Sequence, residues 1–321
     1  MYHAIKNFNK QFEYQPKIEN EKNFKKGFSK FIIAGMGGSN LVANLLRIRD
    51  PQLDIIVHKN YGLPAVSKKE LRERLLIVNS YSGNTEEALD SFSKAFAKKI
   101  PMVVIATGGK LLALAKKHNL PYIQIPSTDI QPRAALGLNI KAIAKFLNRN
   151  DLLKELNKLS ATLEPSSLEN AGKQLAKKIK GYVPIIYSST ENIGIAYNWK
   201  IKFNETGKIP AFCNVFSELN HNEMTGYDIK TGNQELIKKF YFIILRDKSD
   251  HPRIQKRMQI LEKLYQARNL PLKIIHLSGT TIFDKIFSSL ILADWTAYYT
   301  ALQYNLEPTQ VPMVEEFKKL V

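Results

Sequence analysis

A rhythm in the first half of this sequence most constrains its fold. Short β-prone apolar runs recur, each closed by Gly, Pro, Ser or Asn. KFIIAG, at Lys30 to Gly35, is the first, and LDIIVHK, RLLIVNSYSG, PMVVIATGG and LPYIQIP follow it. Helix-like segments such as NTEEALDSFSKAFAKK lie between them. Strands that alternate with helices predict a parallel sheet covered on both faces. RAALGLNIKAIAKFLN, from Arg133 to Asn148, predicts a long amphipathic helix, and the polar stretch from Asn150 to Gly181 reads as linker helices. Then the pattern restarts. VPIIYSS predicts a strand, ENIGIAYNWKIKFNE a helix, and KKFYFIILRD and LPLKIIHLSG two further strands. IFDKIFSSLILADWTAYYTALQYN has the length and spacing of a core helix. The expected class is α/β, with two tandem domains of one design over residues 1–150 and 151–321, each a mainly parallel sheet flanked by helices.

Length and composition agree with that reading. The 321 residues suffice for two domains of ordinary size, and 44% hydrophobic with 24% charged residues exclude a largely disordered chain. Cys213 is the single cysteine, which excludes an intramolecular disulfide and a cysteine-based zinc cluster. The opening MYHAIKNFNKQFEY lacks an apolar signal-peptide core, and no run approaches the ~18 apolar residues of a membrane span. A cytoplasmic setting is expected. Lys and Arg number 47 against 29 Asp and Glu, a net charge of +18. The excess is spread in pairs such as Lys98-Lys99, Lys177-Lys178 and Lys318-Lys319 on helix-like stretches. A nucleic-acid face would gather them, so a solvated basic surface is the simpler reading. Neither nucleic acid nor membrane is an expected partner. His3, His58, His118, His251 and His276 show no metal-ligand spacing, and no metal is expected.

Two strand ends carry chemistry. Gly35-Met36-Gly37-Gly38-Ser39-Asn40 follows a strand and opens the helix NLVANLLR. Glycines let a ligand approach the backbone, and a helix N-terminus presents N–H groups suited to an anion. A dinucleotide fingerprint would need glycine where Asn40 stands, so no dinucleotide cofactor is expected. A tight turn without a ligand would look similar. Ser80-Tyr81-Ser82-Gly83-Asn84-Thr85 follows LLIVN and opens another helix. N-capping requires one polar residue, whereas four fall within these six positions. Hydroxyls and backbone N–H groups together can satisfy one phosphate monoester, aided by the helix dipole. The candidate phosphate-binding residues are Gly37, Gly38, Ser39, Ser80, Ser82 and Thr85.

The succession strand–GMGGS–helix and strand–SYSGNTEE–helix resembles a sugar isomerase (SIS) domain, a fold that binds phosphosugars. The second half is more specific. Tyr197-Asn198-Trp199-Lys200, Asn204-Glu205, Lys208-Ile209-Pro210-Ala211-Phe212 and Glu218-Leu219-Asn220-His221-Asn222-Glu223 resemble the bifunctional phosphoglucose/phosphomannose isomerase family. So do Gln131-Pro132-Arg133-Ala134-Ala135-Leu136-Gly137, Leu245-Arg246-Asp247, His251-Pro252-Arg253 and Leu306-Glu307-Pro308-Thr309. The likeness runs in order over essentially the whole chain. It implies two tandem sugar-isomerase-type domains in a homodimer. The implied reaction interconverts glucose 6-phosphate, and mannose 6-phosphate too, with fructose 6-phosphate through an enediolate.

Such a reaction moves a proton between C2 and C1 and requires ring opening, a general base and a positive group facing the enediolate. The family places its catalytic glutamate at the Asn-Glu position, here Glu205. Without that likeness a surface glutamate between Lys202 and Lys208 would read the same. His221, in the polar run ELNHNE, is implied as the ring-opening acid–base, reaching the site across a subunit interface; an imidazole titrates near ~6.5. Arg133 lies at a strand-to-helix switch, where open α/β sheets bind ligands, and its guanidinium suits a developing enediolate oxygen. One departure stands out. Some family members are expected to carry a lysine on the C-terminal helix, whereas Ala293 to Thr300 has none and Tyr299 falls at about that position. This bears most on dual specificity. Two alternatives are a phosphoglucose isomerase without mannose activity and a non-catalytic phosphosugar-binding regulator. The co-occurrence of Glu205, His221 and Arg133 argues against the regulator.

Overall fold

A computed structural model describes residues 1–128, 130–230 and 232–320. They group into two compact units, one of Asn7–Thr162 and one of Leu163–Val321 together with Met1–Lys6.

The first unit is built on β1 (Lys30–Ala34), β2 (Asp54–His58), β3 (Leu75–Asn79), β4 (Met102–Ala106) and β5 (Tyr122–Gln124). All pair in parallel, in the order β2-β1-β3-β4-β5. These are the five expected runs. Every residue of β3 and β4 is buried, which is why their sequences show no in–out alternation. Ile32, Val78 and Val104 form one core with Phe92 of helix Glu86–Ala97 and Leu111 of helix Gly109–Lys117. The helix expected from Arg133 onward divides into a 3-10 turn, Pro132–Ala134, and an α-helix, Leu136–Phe146. It is not amphipathic in place: every residue of the α-helix but Lys145 is buried. Its outer face is covered by the 3-10 segment Phe8–Glu13, whose Phe12 carbonyl accepts a hydrogen bond from Lys141 Nζ. Burial lowers that ammonium to about 8. Helix Asn150–Thr162, read as a linker, packs on Phe8–Glu13 and on Leu136–Phe146, so the contacts of this unit run past residue 150.

The second unit carries β6 (Val183–Ser189), β7 (Phe212–Phe216), β8 (Phe240–Asp247) and β9 (Leu272–Leu277). They too are all parallel, in the order β7-β6-β8-β9, which reproduces β2-β1-β3-β4. Three were expected and β7 was not. FCNVF is an edge strand with Phe212 exposed and three half-buried residues, so it never forms an apolar run. Ile185, Tyr187, Phe242 and Ile244 form a core with Met258 and Leu261 of helix Pro252–Gln266. The core helix Ile282–Gln303 packs against helices Glu169–Ile179 and Ile193–Glu205. No helix among the described residues is long and apolar enough to cross a membrane.

Candidate active site

In a parallel sheet of order 2-1-3-4-5 the connections leave β1 and β3 toward opposite faces, which opens a crevice at their carboxyl ends. The loops at Gly35–Asn40 and Ser80–Thr85 flank that crevice, and hydrogen bonds tie them together. Ser39 Oγ accepts from the Tyr81 N–H at 3.0 Å, and Asn79 Nδ2 donates to the Ser39 carbonyl at 2.6 Å. Ser80 Oγ accepts from the Gly83 N–H at 3.1 Å and the Thr85 N–H at 3.4 Å, and lies 2.7 Å from Thr85 Oγ1. Ser39 and Ser80 are buried, Thr85 is half-buried and Ser82 is exposed. Ser39 and Ser80 therefore shape the loops from within, while Ser82, whose Oγ accepts from the Asn84 N–H at 3.2 Å, does so at the surface.

Arg133 joins this edge. A β-carbon on Gly38 would lie 2.5 Å from the Pro132 carbonyl oxygen and 3.0 Å from Arg133 N, so the absence of one lets the Arg133 turn lie directly on the first loop. Arg133 is buried at 2% exposure. Gln11 holds its turn, donating from Nε2 to the Ala134 carbonyl at 2.8 Å and accepting from the Gly137 N–H at 3.0 Å. The Tyr81 and Thr128 hydroxyls, 3.0 Å apart, tie the second loop to the segment leading toward Arg133.

A third turn, not anticipated from sequence, backs the Ser80 loop. Thr107 donates to the Tyr81 carbonyl from N at 2.9 Å and from Oγ1 at 2.7 Å. Leu111 N–H donates to the Gly83 carbonyl at 2.8 Å, and Lys110 N–H to Asn84 Oδ1 at 3.0 Å. The signal was present, because PMVVIATGG has the same strand–glycine–helix punctuation as the two loops it supports.

Glu205 and His221 belong to the second unit. Glu205 is half-buried and is the last residue of helix Ile193–Glu205. The helix ends where Thr206 N–H and Gly207 N–H both donate to the Lys202 carbonyl, at 2.9 and 3.0 Å. His221 is exposed, just beyond the 3-10 turn Glu218–Asn220, and its N–H donates to the Glu218 carbonyl at 3.0 Å. Its loop is anchored by Glu223, which accepts from the Tyr187 hydroxyl at 2.6 Å and from Asn214 Nδ2. Burial, then the neighbouring Tyr265 and Glu223, push the Tyr187 hydroxyl far above its ordinary range, which keeps it a donor. Helix Ile193–Glu205 carries the chain from the carboxyl end of β6 back to the amino end of β7. Glu205 therefore lies at the amino edge of this sheet and His221 at its carboxyl edge. The five residues of β7 separate them, and one chain does not bring the two together.

The corresponding crevice of the second sheet, between the loops after β6 and β8, is filled by side chains. Asp247 accepts from Lys285 Nζ, and from Ser249 N–H at 2.9 Å and Oγ at 2.8 Å. Asn192 Nδ2 donates to Asp247 at 3.2 Å, Asp250 at 3.1 Å and Ser189 Oγ at 3.1 Å. Burial pushes the Asp247 carboxyl up, but the bonds from Lys285 and Ser249 outweigh it and hold the group below its ordinary value.

Comparison with known proteins assigns the chain. Residues 168–321 match the family model of the bacterial phospho-glucose isomerase C-terminal SIS domain. Over 307 residues the chain is 35% identical to the bifunctional phosphoglucose/phosphomannose isomerase of Caldicellulosiruptor bescii, covering 90% of this chain and 88% of that protein. The chain belongs to the bifunctional phosphoglucose/phosphomannose isomerase family. It is also 30% identical, over 99% of its length and 97% of the relative's, to the Aquifex aeolicus protein of that name. The C-terminal domain of glucosamine-fructose-6-phosphate aminotransferase from Francisella tularensis shares the fold, with a TM-score of 0.67 at 14% identity over 96% of each chain. The two parallel sheets match the architecture that the phosphoglucose/phosphomannose isomerase resemblance implies.

Tyr299, which by sequence falls at about the position of an expected lysine, is half-buried on helix Ile282–Gln303. Its hydroxyl bonds to Glu169, which also accepts from the Tyr2 hydroxyl at 3.2 Å. Burial, then Glu169, push the Tyr299 hydroxyl above its ordinary range.

Proposed function

We propose that the protein interconverts glucose 6-phosphate and mannose 6-phosphate with fructose 6-phosphate, by proton transfer through an enediolate, as a cytoplasmic homodimer. The observation that carries the substrate class is the carboxyl edge of the first sheet, where two hydroxyl- and glycine-bearing loops meet a buried arginine turn. Ser39 Oγ accepts from a backbone N–H, so its own proton is left to donate to a phosphate oxygen. Between Ser80 and Thr85 one hydroxyl donates to the other, which leaves one proton to do the same. Ser82 and the N–H groups of Gly37 and Gly38 complete the set, with the helix N-termini favouring the anion.

Arg133 faces the oxygens on C1 and C2, where negative charge grows as the enediolate forms. Glu205 takes the C2 proton of the open-chain aldose and returns it to C1, and the reverse step regenerates the aldose. Mannose 6-phosphate requires a turn about the C2–C3 bond, so that the other face of C2 meets the same carboxylate. His221 opens the ring by moving a proton between O1 and O5. Glu205 and His221 lie at opposite edges of one sheet, which supports a centre whose histidine comes from a second subunit.

The test is a coupled assay with glucose 6-phosphate and mannose 6-phosphate supplied separately. Both are expected to turn over; glucose 6-phosphate alone would restrict the enzyme to phosphoglucose isomerase activity. Glu205→Gln should bind substrate normally and lose at least ~100-fold in kcat, within the range for removing a positioned base. Near-normal turnover would remove Glu205 as the base.

A further inference from the structure

The helix that ends at Glu205 is fixed to the core helix Ile282–Gln303 by two buried polar ties. Trp199 Nε1 donates to Ser289 Oγ at 3.0 Å, and Lys202 Nζ donates to Asp294 Oδ1 at 2.7 Å. The Lys202 and Asp294 side chains are each only 1% exposed. Trp199 and Lys202 lie one turn apart on the first helix, and Ser289 and Asp294 lie along the second. Two such ties fix both the rotation and the sliding of one helix on the other.

A buried ion pair is a poor source of stability. Desolvating both charges offsets their attraction, and apolar residues of similar volume often pack as well or better. Such a pair can supply register instead. Apolar ridges can settle into neighbouring grooves, whereas a single ammonium–carboxylate contact permits one alignment. Lys202 adds a second constraint, because its carbonyl accepts the Thr206 and Gly207 N–H bonds that end the helix. Glu205 lies three residues beyond Lys202, on the same side of the helix.

We propose that Lys202 and Asp294 are positioning residues for Glu205: their ion pair sets the direction in which the carboxylate leaves the helix end. Neither is assigned a contact with substrate, and the proposal rests on Glu205 being the base. Misplacing a reacting group by about 1 Å can cost ~100-fold in rate. The discriminating variant is Lys202→Met with Asp294→Leu, which removes both charges and keeps the volume. It should match or exceed wild type in Tm, keep KM within ~2-fold and lose about 10- to 100-fold in kcat. Recovery of kcat together with Tm would overturn the proposal, because the pair would then merely fill the core. If the double variant fails to fold, Lys202→Arg reads the same split: it keeps the charge but shifts it, and an unchanged kcat would count against positioning. The apolar pair should add little to the loss already caused by Glu205→Gln. An equal further loss in that background would mean that the pair does not act through Glu205, with the base reading intact. Near-normal turnover of Glu205→Gln alone would remove the base reading and the proposal with it.

Discussion

Gly83 holds φ at +72°, and a β-carbon there would lie 1.9 Å from the Gly108 carbonyl oxygen. Position 83 therefore admits only glycine, and the Ser80 loop rests backbone to backbone on the turn behind it. The serines around it differ in what they do, and substitution should separate them. Ser39→Ala leaves the buried Tyr81 N–H without its acceptor, so it should lose about 1–3 kcal/mol of stability and raise KM for sugar phosphate. Ser82→Ala removes only an exposed bond from the Asn84 N–H, so it should raise KM with little change in Tm. Denaturant titration beside steady-state kinetics checks both, and a Ser82 variant with unchanged KM would take that hydroxyl off the phosphate. That Ser80, Ser82 and Thr85 gather around a glycine on one turn between a strand and a helix was legible in the sequence. Their division of labour was not, since it depends on partners far away: Ser39 on Tyr81, and the Arg133 turn on Gln11.

At the scale of elements, eight of the nine strands among the described residues could be read from short apolar runs, and the missing one is instructive. β7 is half-exposed and pairs along one side only, so burial never imposed an apolar sequence on it. Loop chemistry was equally hidden at the ends of β6 and β8, where five polar side chains from distant positions meet Lys285. Asp247 makes that junction sensitive to acid. Its folded value is held below the unfolded ~3.9, so its contribution is fully present above that value and is lost as pH falls through the folded one. Asp250, pushed up by burial, works in the opposite sense. Asp247→Asn should therefore lower Tm at pH 7, and the gap to wild type should narrow as pH falls from about 4 toward 2. A gap that stays constant over that range would show that the ionised carboxylate contributes nothing.

For the whole molecule, the placement of Glu205 and His221 at opposite edges of one sheet makes a claim about chains rather than residues. If each centre takes its histidine from the other copy, Glu205→Gln and His221→Ala should each be nearly inactive alone and should complement when mixed. Random exchange puts half of the chains in mixed dimers with one intact centre apiece, so about a quarter of wild-type turnover should return. Subunits that exchange without regaining activity would place both residues in one chain's centre. The +18 charge has little part in this, because the groups assigned to the phosphate are hydroxyls and backbone N–H groups, and the one cation assigned to the enediolate is the buried Arg133 rather than any of the dispersed lysines.

The filled crevice of the second sheet sets a stoichiometry. The strand order is present twice, but among the described residues only the first copy ends in the hydroxyl- and glycine-bearing loops proposed to take a phosphate. In the second, Asp247, Asp250 and their partners occupy the equivalent place and would repel one. On the proposed reading, a chain with two sheets of one design should bind a single phosphosugar, and a dimer of such chains two rather than four.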